Sequence, residues 1–464
     1  MKPMQEISSP QIKKIHKGKV RDSFKIDEKR RLIVATDRIS SFDMVLDSLI
    51  PGKGAVLNSL AAWWFDETKD IVDNHLIKPI GVNASLVHDV ETIKIEMIVR
   101  GYITGSAWRK YENGGREVSG VSIPDGLKKN DKFPTPILTP TTKEDSDREI
   151  SRKDLLAEGW TTEDIYSQME KYSLELFERG SKVLKEKGII LVDTKYEFGL
   201  KDGKVILIDE IHTPDSSRFW SAEDHEKNAE KVEQLDKEFV RTFLLKNKVD
   251  GKYPTVLPNE IVAETVRRYE AIYKMITGED IQHVRRPEHY LAACLQDEGL
   301  MKDGFVSIIM GSASDIPHAE KMKAIVEKYD IPCDLRIMSA HKNGEAILDV
   351  AEEYNHALEA VAVIAVAGRS NGLGGALSKL LVSVERYPEL KANQNFLKLQ
   401  DQLFEIEDEI SYARRYYNGT IRNNNILIES FPSNIIAKVF KFEKPGYFEI
   451  EVSSEKNVPQ LNFE

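Results

Sequence analysis

Cysteine is nearly absent from this chain of 464 residues, which contains only Cys294 and Cys333, far apart in the sequence. Two isolated thiols argue against a disulfide framework and against a cysteine zinc site. No stretch approaches the roughly 18 consecutive apolar residues of a membrane-spanning helix, and the first residues lack the apolar core of a signal peptide. We therefore expect a cytoplasmic protein without a membrane span.

An excess of basic residues is also missing. The chain has 65 lysines and arginines against 76 aspartates and glutamates, a formal net charge of −11. A nucleic-acid-binding surface needs surplus cations to neutralise phosphates, so we predict no nucleic-acid partner. With 41% hydrophobic and 30% charged residues the composition is globular, and a chain of this length is expected to form two or three domains.

Two apolar stretches that each end in acidic residues predict a β-hairpin. Residues 191–199 read LVDTKYEFG, residues 206–210 read ILIDE, and residues 201–204 (KDGK) form a turn between them. Glu197 and Asp209 would then stand on neighbouring strands, where two carboxylates can share a hard cation such as Mg²⁺. A hairpin that only exposes two acids fits the same residues.

Five further segments complete a pattern. In chain order they are GKVRD at 18–22, ATDRISSFD at 35–43, IVRGYITGSAW at 98–108, TPTTK at 139–143 and HTPDSSRFW at 212–220. Together with the hairpin they resemble the SAICAR synthetase (phosphoribosylaminoimidazole-succinocarboxamide synthase) family over residues 10–278. The resemblance implies an ATP-dependent C–N ligase of de novo purine biosynthesis. Its substrates would be aspartate and carboxyaminoimidazole ribotide, its products SAICAR, ADP and phosphate, and its cofactors ATP and Mg²⁺.

The resemblance also implies roles for individual residues. Those implied to act in catalysis, at the imidazole ribotide, are Asp193, Lys195 and Arg218. Those implied to bind ATP are Lys19, Val20, Arg21 and Lys143, the last following a predicted turn at 139–142. Those implied to bind the substrates are Asp37, Ser40, Asp43, Arg100, Ser106, Asp215 and Ser217. Those implied to bind Mg²⁺ are Glu197 and Asp209. The spacing of Lys19 and Arg21 puts both on one strand face, and an exposed basic pair is the alternative for them.

A second unit begins near residue 304. Apolar strands are predicted at 305–310, 333–338 and 360–366, with a helix at 319–329, which indicates a parallel doubly wound sheet. Ligands bind at the carboxyl ends of such strands, and small-residue turns there can hold a phosphate. The turns resemble the AIR carboxylase family, and the resemblance stops after Gly374. The matching positions, interpreted as a relic, are Ser312, Asp315, Ser339, His341, Lys342, Ser370 and Asn371.

Beyond the join predicted near 374–378, apolar residues from Phe396 to Tyr417 recur at steps of three and four. Such a seam predicts a long helix that packs on another helix. Segments between 375 and 464 resemble the carboxyl-terminal half of the LemA family.

We therefore predict four segments along the chain. They are an α+β SAICAR synthetase-like domain (1–278), a linker with one helix (279–303), a truncated AIR carboxylase-like unit with a partial flavodoxin-like α/β parallel sheet (304–374) and a LemA-like α-helical tail (375–464). The alternatives to a ligase alone are a bifunctional enzyme that also carboxylates aminoimidazole ribotide, and a LemA-like helical interaction protein. The expected partners are small-molecule substrates, and the oligomeric state is left open.

Overall fold

The computed structural model describes residues 2–42, 44–144, 148–229, 232, 234–338, 344–366, 419–426, 428–430, 437 and 443–446. The chain divides into two compact units, one formed by residues 1–7 and 12–301 and the other by residues 8–11 and 302–464. The predicted helical seam and the predicted join lie outside the described residues. Among the residues described, no helix is both long enough and apolar enough to cross a membrane.

The first unit mixes antiparallel strands with helices, as predicted. Its strands are β1 (Lys13–Lys17), β2 (Arg21–Lys25), β3 (Arg30–Ala35), β4 (Arg38–Ser41), β5 (Met44–Leu49), β6 (Leu76–Ile80), β7 (Ala84–His88), β8 (Glu91–Tyr102), β9 (Glu117–Val118), β10 (Val121–Ser122), β11 (Lys132–Thr142), β12 (Arg148–Glu149), β13 (Ile189–Lys201), β14 (Lys204–Ile208) and β15 (Ser217–Ser221). Its helices are α1 (Lys53–Glu67), α2 (Gly105–Glu112), α3 (Arg152–Ala157), α4 (Glu163–Glu186), α5 (Ala222–Lys227), α6 (Glu238–Lys246), α7 (Asn259–Thr277) and α8 (Pro287–Asp297).

Two antiparallel sheets organise this unit. One has the strand order β1-β2-β3-β7-β6, and the other has the order β12-β11-β8-β13-β14. Two strands share one edge of the long strand β13: β15 pairs with its first half and β14 pairs with its second half. Strand β8 covers the opposite edge of β13. The two longest strands therefore lie side by side at the centre of the second sheet.

Helix α4 covers the apolar side of these central strands. Thr162 caps the helix by accepting a hydrogen bond from the Ile165 N–H at 3.3 Å, which satisfies one of its free amides. Its apolar stripe includes Leu176 and Phe177, which lie in one buried cluster with side chains of β8 and β13. Alternation along a strand then turns the polar residues to the opposite side of the sheet.

The predicted hairpin is confirmed as β13 and β14. Asp202 and Gly203 form its two-residue turn and have positive φ values of 51° and 78°. Positive φ at both central positions is the turn geometry that matches the twist of hairpin strands, and Asp-Gly adopts it readily. Glu197 pairs with Ile208, so Asp209 follows the end of the neighbouring strand.

Two local predictions are wrong. Residues 139–142 do not form a turn but lie within β11, where Thr139 pairs with Ile98 of β8. Lys19 does not share a strand face with Arg21, because it lies in the turn before β2, which the Gly18 N–H closes by donating to the Arg21 carbonyl at 2.8 Å.

The segment predicted as a linker, 279–303, contains helix α8 (Pro287–Asp297). Leu291 and Leu295 on this helix are buried, which removes their apolar surface from water. The first unit accordingly extends to Met301.

The second unit contains the three predicted parallel strands. They are β16 (Gly304–Met310), β17 (Cys333–Ile337) and β18 (Ala360–Val366), in the order β17-β16-β18, and helices α9 (Ile316–Glu327) and α10 (Gly344–Asn355) connect them. The central strand β16 is buried on both faces, as expected for a parallel strand covered by helices.

Gly180 in the middle of α4 offers a stability test. A Cβ added there would lie 2.3 Å from the His212 ring, so alanine must displace a buried side chain. We expect Gly180→Ala to destabilise the first unit by about 1–3 kcal/mol, although alanine alone favours a helix by about 1 kcal/mol. Urea unfolding followed by tryptophan fluorescence measures this. Glu178→Ala, at an exposed position of the same helix, is the control, and equal or greater stability of Gly180→Ala would contradict the packing described.

Candidate active site

The polar side of β8 and β13 begins at a carboxylate held by two arginines. One oxygen of Asp193 accepts hydrogen bonds from Arg218 Nη1 at 2.5 Å and Arg100 Nη1 at 3.3 Å. Burial lowers the pKa of Arg100 and opposes ionisation of Arg218, but Asp193 favours the charged form of both and raises the pKa of Arg218 overall. Arg100 and Arg218 share this one carboxylate, and Arg218 Nε also lies 3.9 Å from Glu238.

Arg218 also lies close to the first turn of α2. A Cβ on Gly105, whose φ is +57°, would come within 2.7 Å of both terminal guanidinium nitrogens. Glycine is therefore required there both for the backbone conformation and for the close approach. Ser106 directly follows Gly105 in the first turn of α2, and Arg218 shares Asp193 with Arg100.

In the middle of the polar side, one lysine joins two opposing acids. Glu96 and Glu197 are direct cross-strand partners on β8 and β13, and Lys195 Nζ lies 2.9 Å from Glu96 and 2.5 Å from Glu197. Lys143 also forms an ion pair with Glu197. Although burial disfavours its carboxylate, Lys195 and Lys143 hold the pKa of Glu197 below the ordinary value. Burial opposes the charge on Lys195, yet Glu197 and Glu96 raise its pKa well above normal.

At the far end, Asp209 and Glu210 meet Arg21. Arg21 Nη2 lies 2.8 Å from Asp209 and 2.9 Å from Glu210. Burial raises the pKa of Asp209 to about 6, and the negative charge of Glu197 adds to this effect against the attraction of Arg21. Asp209 has a left-handed backbone with φ +71°, a conformation that aspartate tolerates better than most residues.

The loop that follows Asp209 is attached to the core through His212. Tyr196 Oη lies 2.6 Å from His212 Nε2, and the Trp64 ring meets the imidazole edge-on at 4.6 Å between centroids. Burial lowers the pKa of His212 to about 3, so the imidazole is neutral at physiological pH. Tyr196 points to the core side of β13, whereas its sequence neighbours Lys195 and Glu197 point to the polar side.

Two acids predicted to bind substrate are engaged by the protein itself. Asp37 accepts hydrogen bonds from the Met4 and Gly54 N–H groups, both at 2.9 Å, and so joins the amino-terminal segment to the start of α1. Asp215 lies 2.8 Å from Lys53 Nζ and accepts from Tyr269 Oη at 2.7 Å. Asp37 is buried, and the Asp215 side chain is almost entirely shielded from water.

The other predicted residues fall into four groups. Ser217 is the cross-strand partner of Thr194, with the two hydroxyl oxygens 2.7 Å apart, and strand alternation puts both on the side of the sheet opposite Asp193 and Arg218. Lys19, Val20 and Ser40 lie on the turn before β2 and on β4. In the second unit, Ser312 and Asp315 flank the short 3-10 turn that leads into α9. The predicted residues outside the described part of the chain are Asp43, Ser339, His341, Lys342, Ser370 and Asn371.

The sequence reasoning missed four charged residues near these groups. Glu96 could have been found, because it stands two steps of strand alternation before Arg100 in an otherwise apolar run. Glu210 directly follows a predicted ligand. Nothing in the sequence around Lys53 or Lys237 indicates that either lysine lies near the site. Burial lowers the pKa of Lys237, while the negative charge of Asp215 opposes that effect.

The family of this chain follows from comparison with known proteins. The SAICAR synthetase family model matches residues 14–256. The chain belongs to the SAICAR synthetase family. The phosphoribosylaminoimidazole-succinocarboxamide synthase of Flavobacterium psychrophilum is 46% identical over 280 residues, which are 58% of this chain and 89% of that protein. The enzyme of the same name from Legionella pneumophila is 42% identical over 294 residues, 61% of this chain and 93% of that protein.

A solved structure supports the fold of the first unit. The SAICAR synthase from Saccharomyces cerevisiae complexed with SAICAR is 35% identical and superimposes with a TM-score of 0.54, covering 60% of this chain and all of that one. The LemA family model matches residues 338–463, and so begins before the predicted boundary at 375. PurE from Treponema denticola aligns with 17% of this chain at 37% identity. Its TM-score of 0.17 supports no conclusion about the fold.

The neutral His212 predicts a pH dependence of stability. Its folded pKa of about 3 lies below the ordinary value of 6.5, so between pH 6.5 and pH 3 the unfolded chain binds a proton that the folded chain does not. Stability is therefore lost as the pH falls, by about 2 kcal/mol from this residue between pH 7 and pH 5. His212→Asn should reduce the difference in unfolding free energy between these pH values by that amount.

Urea unfolding at both pH values, followed by tryptophan fluorescence, checks this. All five tryptophans lie between residues 63 and 220 and therefore report on the first unit. His16→Asn, at an exposed position on β1, is the control. An unchanged pH dependence in His212→Asn would contradict a buried neutral imidazole.

Proposed function

We propose that this chain is an ATP-dependent ligase that joins aspartate to carboxyaminoimidazole ribotide and forms SAICAR, ADP and phosphate. The observation that carries the proposal is the polar side of β8 and β13, where Arg100, Lys195 and Arg218 alternate with carboxylates. Membership of the SAICAR synthetase family, at 42–46% identity to named synthases over most of their length, supports the same reaction.

The chemistry explains why such a surface is needed. A carboxylate resists attack by an amine because it is negatively charged and oxide is a poor leaving group. Transfer of the ATP γ-phosphoryl group to the carboxylate creates an acyl phosphate, which the amino group of aspartate attacks with release of phosphate. The protein contributes mainly by positioning the reactants and by neutralising charge.

The ribotide would bind at the arginine end. Arg100 and Arg218 both bind Asp193, and Gly105, which precedes Ser106, lies against the Arg218 guanidinium group. A guanidinium group can bind a phosphate or a carboxylate through two parallel hydrogen bonds. Lys195, the central cation, would contact the ribotide together with Asp193, as the family resemblance implies.

The nucleotide would bind at the other end. Lys19, Val20, Arg21 and Lys143 are the residues proposed to contact ATP. Arg21 and Lys143 already lie beside carboxylates in the structure, so phosphate binding would redistribute these ion pairs. The exposed position of Lys19 in the turn before β2 suits contact with a mobile phosphate chain.

Glu197 and Asp209 are the proposed Mg²⁺ ligands. In the described residues no group of three or more histidine, cysteine, aspartate or glutamate side chains forms a metal site. A two-carboxylate site nevertheless fits Mg²⁺, which commonly binds one or two carboxylates and takes its remaining oxygens from water and substrate phosphates. When bound, the ion neutralises phosphate charge. Asp209, with its pKa near 6, would give up a proton more readily when a cation arrives.

Removing either proposed ligand tests the assignment. Glu197→Gln and Asp209→Asn should each lower turnover about 10²-fold or more, because a lost ligand weakens phosphate neutralisation. Phosphate release should require ATP, the ribotide, aspartate and Mg²⁺ together. Glu223→Gln and Asp70→Asn, which change exposed acids, are the matched controls. Wild-type turnover in both variants would refute the metal assignment.

For the second unit we propose an AIR carboxylase-like relic without turnover. The three parallel strands β16, β17 and β18 support the family resemblance, since they appear in the expected order with helical connections. A parallel sheet with few strands leaves its edges unpaired and its core small. The bifunctional alternative and a role of the LemA-like segment as an interaction module are the competing proposals.

Isotope transfer distinguishes the relic from a working carboxylase. The full-length protein should incorporate no label from bicarbonate into aminoimidazole ribotide, because the sequence resemblance to the AIR carboxylase family stops after Gly374. A known aminoimidazole ribotide carboxylase run in parallel is the positive control. Label that appears with wild type and disappears with His341→Asn would establish a second activity.

A further inference from the structure

Asp215 is held by two residues that the proposed reaction does not use. Lys53 lies 2.8 Å from one carboxylate oxygen, and Tyr269 donates to the other at 2.7 Å. The Asp215 side chain is 4% exposed and that of Lys53 is 0% exposed. With one strong partner on each oxygen and almost no exposure, Asp215 is poorly placed to contact a ligand directly.

The buried lysine is fixed by its own helix. Lys53 begins α1, and the neighbouring Gly54 N–H donates to Asp37 at 2.9 Å. Transfer of an ammonium group from water to a protein interior is costly unless it is paired with a carboxylate. Burial of the charged Lys53 side chain therefore requires the Asp215 carboxylate, and burial of that carboxylate requires Lys53.

Tyr269 supplies the second attachment from another helix. It lies on α7, is 1% exposed, and has the Lys53 ammonium 6.0 Å from its ring centroid. Burial and the adjacent Asp215 raise the pKa of Tyr269 well above normal, so its hydroxyl remains a donor. Asp215 thus connects the 213–217 loop to the start of α1 and to the middle of α7.

The loop attached in this way leads directly to the ribotide end of the site. Residue 215 stands two positions before Ser217, which begins β15, and three before Arg218. Between Asp209 and Ser216 the loop runs outside any strand, and its Thr213 and Ser216 side chains bond within the loop itself. Strand pairing holds Arg218 opposite Asp193, and attachment through Asp215 holds the loop that leads into that strand.

We propose that Lys53 and Tyr269 are positioning residues, which hold Asp215 as the anchor of the 213–217 loop and so place Arg218 for the ribotide. The inference rests on the proposed ligase function. It assigns Asp215 to the framework and not to direct substrate contact. Because misplacement of a binding group by about 1 Å can cost up to 10²-fold in rate, these two residues should matter for one substrate more than for the others.

Tyr269→Phe in the full-length protein is the main test, because it removes one hydroxyl and keeps the ring. We expect kcat/KM for carboxyaminoimidazole ribotide to fall about tenfold, the effect of losing one hydrogen bond to a charged group. The KM for ATP should stay within about twofold, because Arg21 holds Asp209 and Glu210 independently. Tyr273→Phe, one turn further along α7, is the matched control.

Hydrogen exchange gives a readout that does not depend on activity. In the protein without substrates, backbone amides of loop residues 210–216 should exchange faster in Tyr269→Phe than in wild type and Tyr273→Phe. Amides of β13, which are held by strand pairing, should be unchanged. If wild type proves inactive while this difference is seen, the proposed function fails and the anchoring stands.

Lys53→Met and Asp215→Asn complete the experiment. Lys53→Met should give the same selective loss for the ribotide as Tyr269→Phe. Three results would overturn the proposal. They are a Tyr269→Phe variant that matches the control in kinetics and exchange, an equal loss for all three substrates in proportion to the folded fraction, and a large ribotide defect confined to Asp215→Asn. The last would show that Asp215 contacts the ligand itself.

Discussion

The polar side of the central sheet depends on one lysine between two acids. Glu96 and Glu197 lie directly opposite each other on neighbouring strands, where like charges repel. Lys195 lies within hydrogen-bonding distance of both, and Lys143 adds a second cation at Glu197. Without that compensation two buried carboxylates would face each other at the centre of the sheet. The pairing of β8 with β13 therefore depends on the same lysines that set the charge of the site.

The loop after β14 shows a different solution to the same problem. It has no strand partner to hold it, so side chains attach it at successive points, with Arg21 at Glu210, Tyr196 at His212 and Lys53 at Asp215. Each attachment is polar and largely shielded from water, and each joins the loop to a different element. Buried polar contacts of this kind demand complete pairing, and they specify one arrangement of the chain when they obtain it.

Much of the site could be predicted from local sequence. The hairpin followed from two apolar runs and an Asp-Gly turn, and the common facing of Asp193, Lys195 and Glu197 followed from strand alternation. The proximity of Arg100 and Arg218 came from the family resemblance, and the strand pairing of both residues with Asp193 accounts for it. Residues 139–142, predicted as a turn, instead form part of a strand, because they pair with β8, which is distant in sequence.

The sequence by itself determined the family, the order of the strands in the hairpin and the side of each strand that carries charge, because these depend on neighbours within a few residues. The tertiary structure alone decided which partners each acid has. Asp37 and Asp215 are bound by framework groups of Met4, Gly54, Lys53 and Tyr269. Asp193 and Asp209 are bound instead by Arg100, Arg218 and Arg21, the arginines proposed to contact the substrates. Those partners are distant in sequence, and burial and pairing are fixed only when the folded chain brings them together.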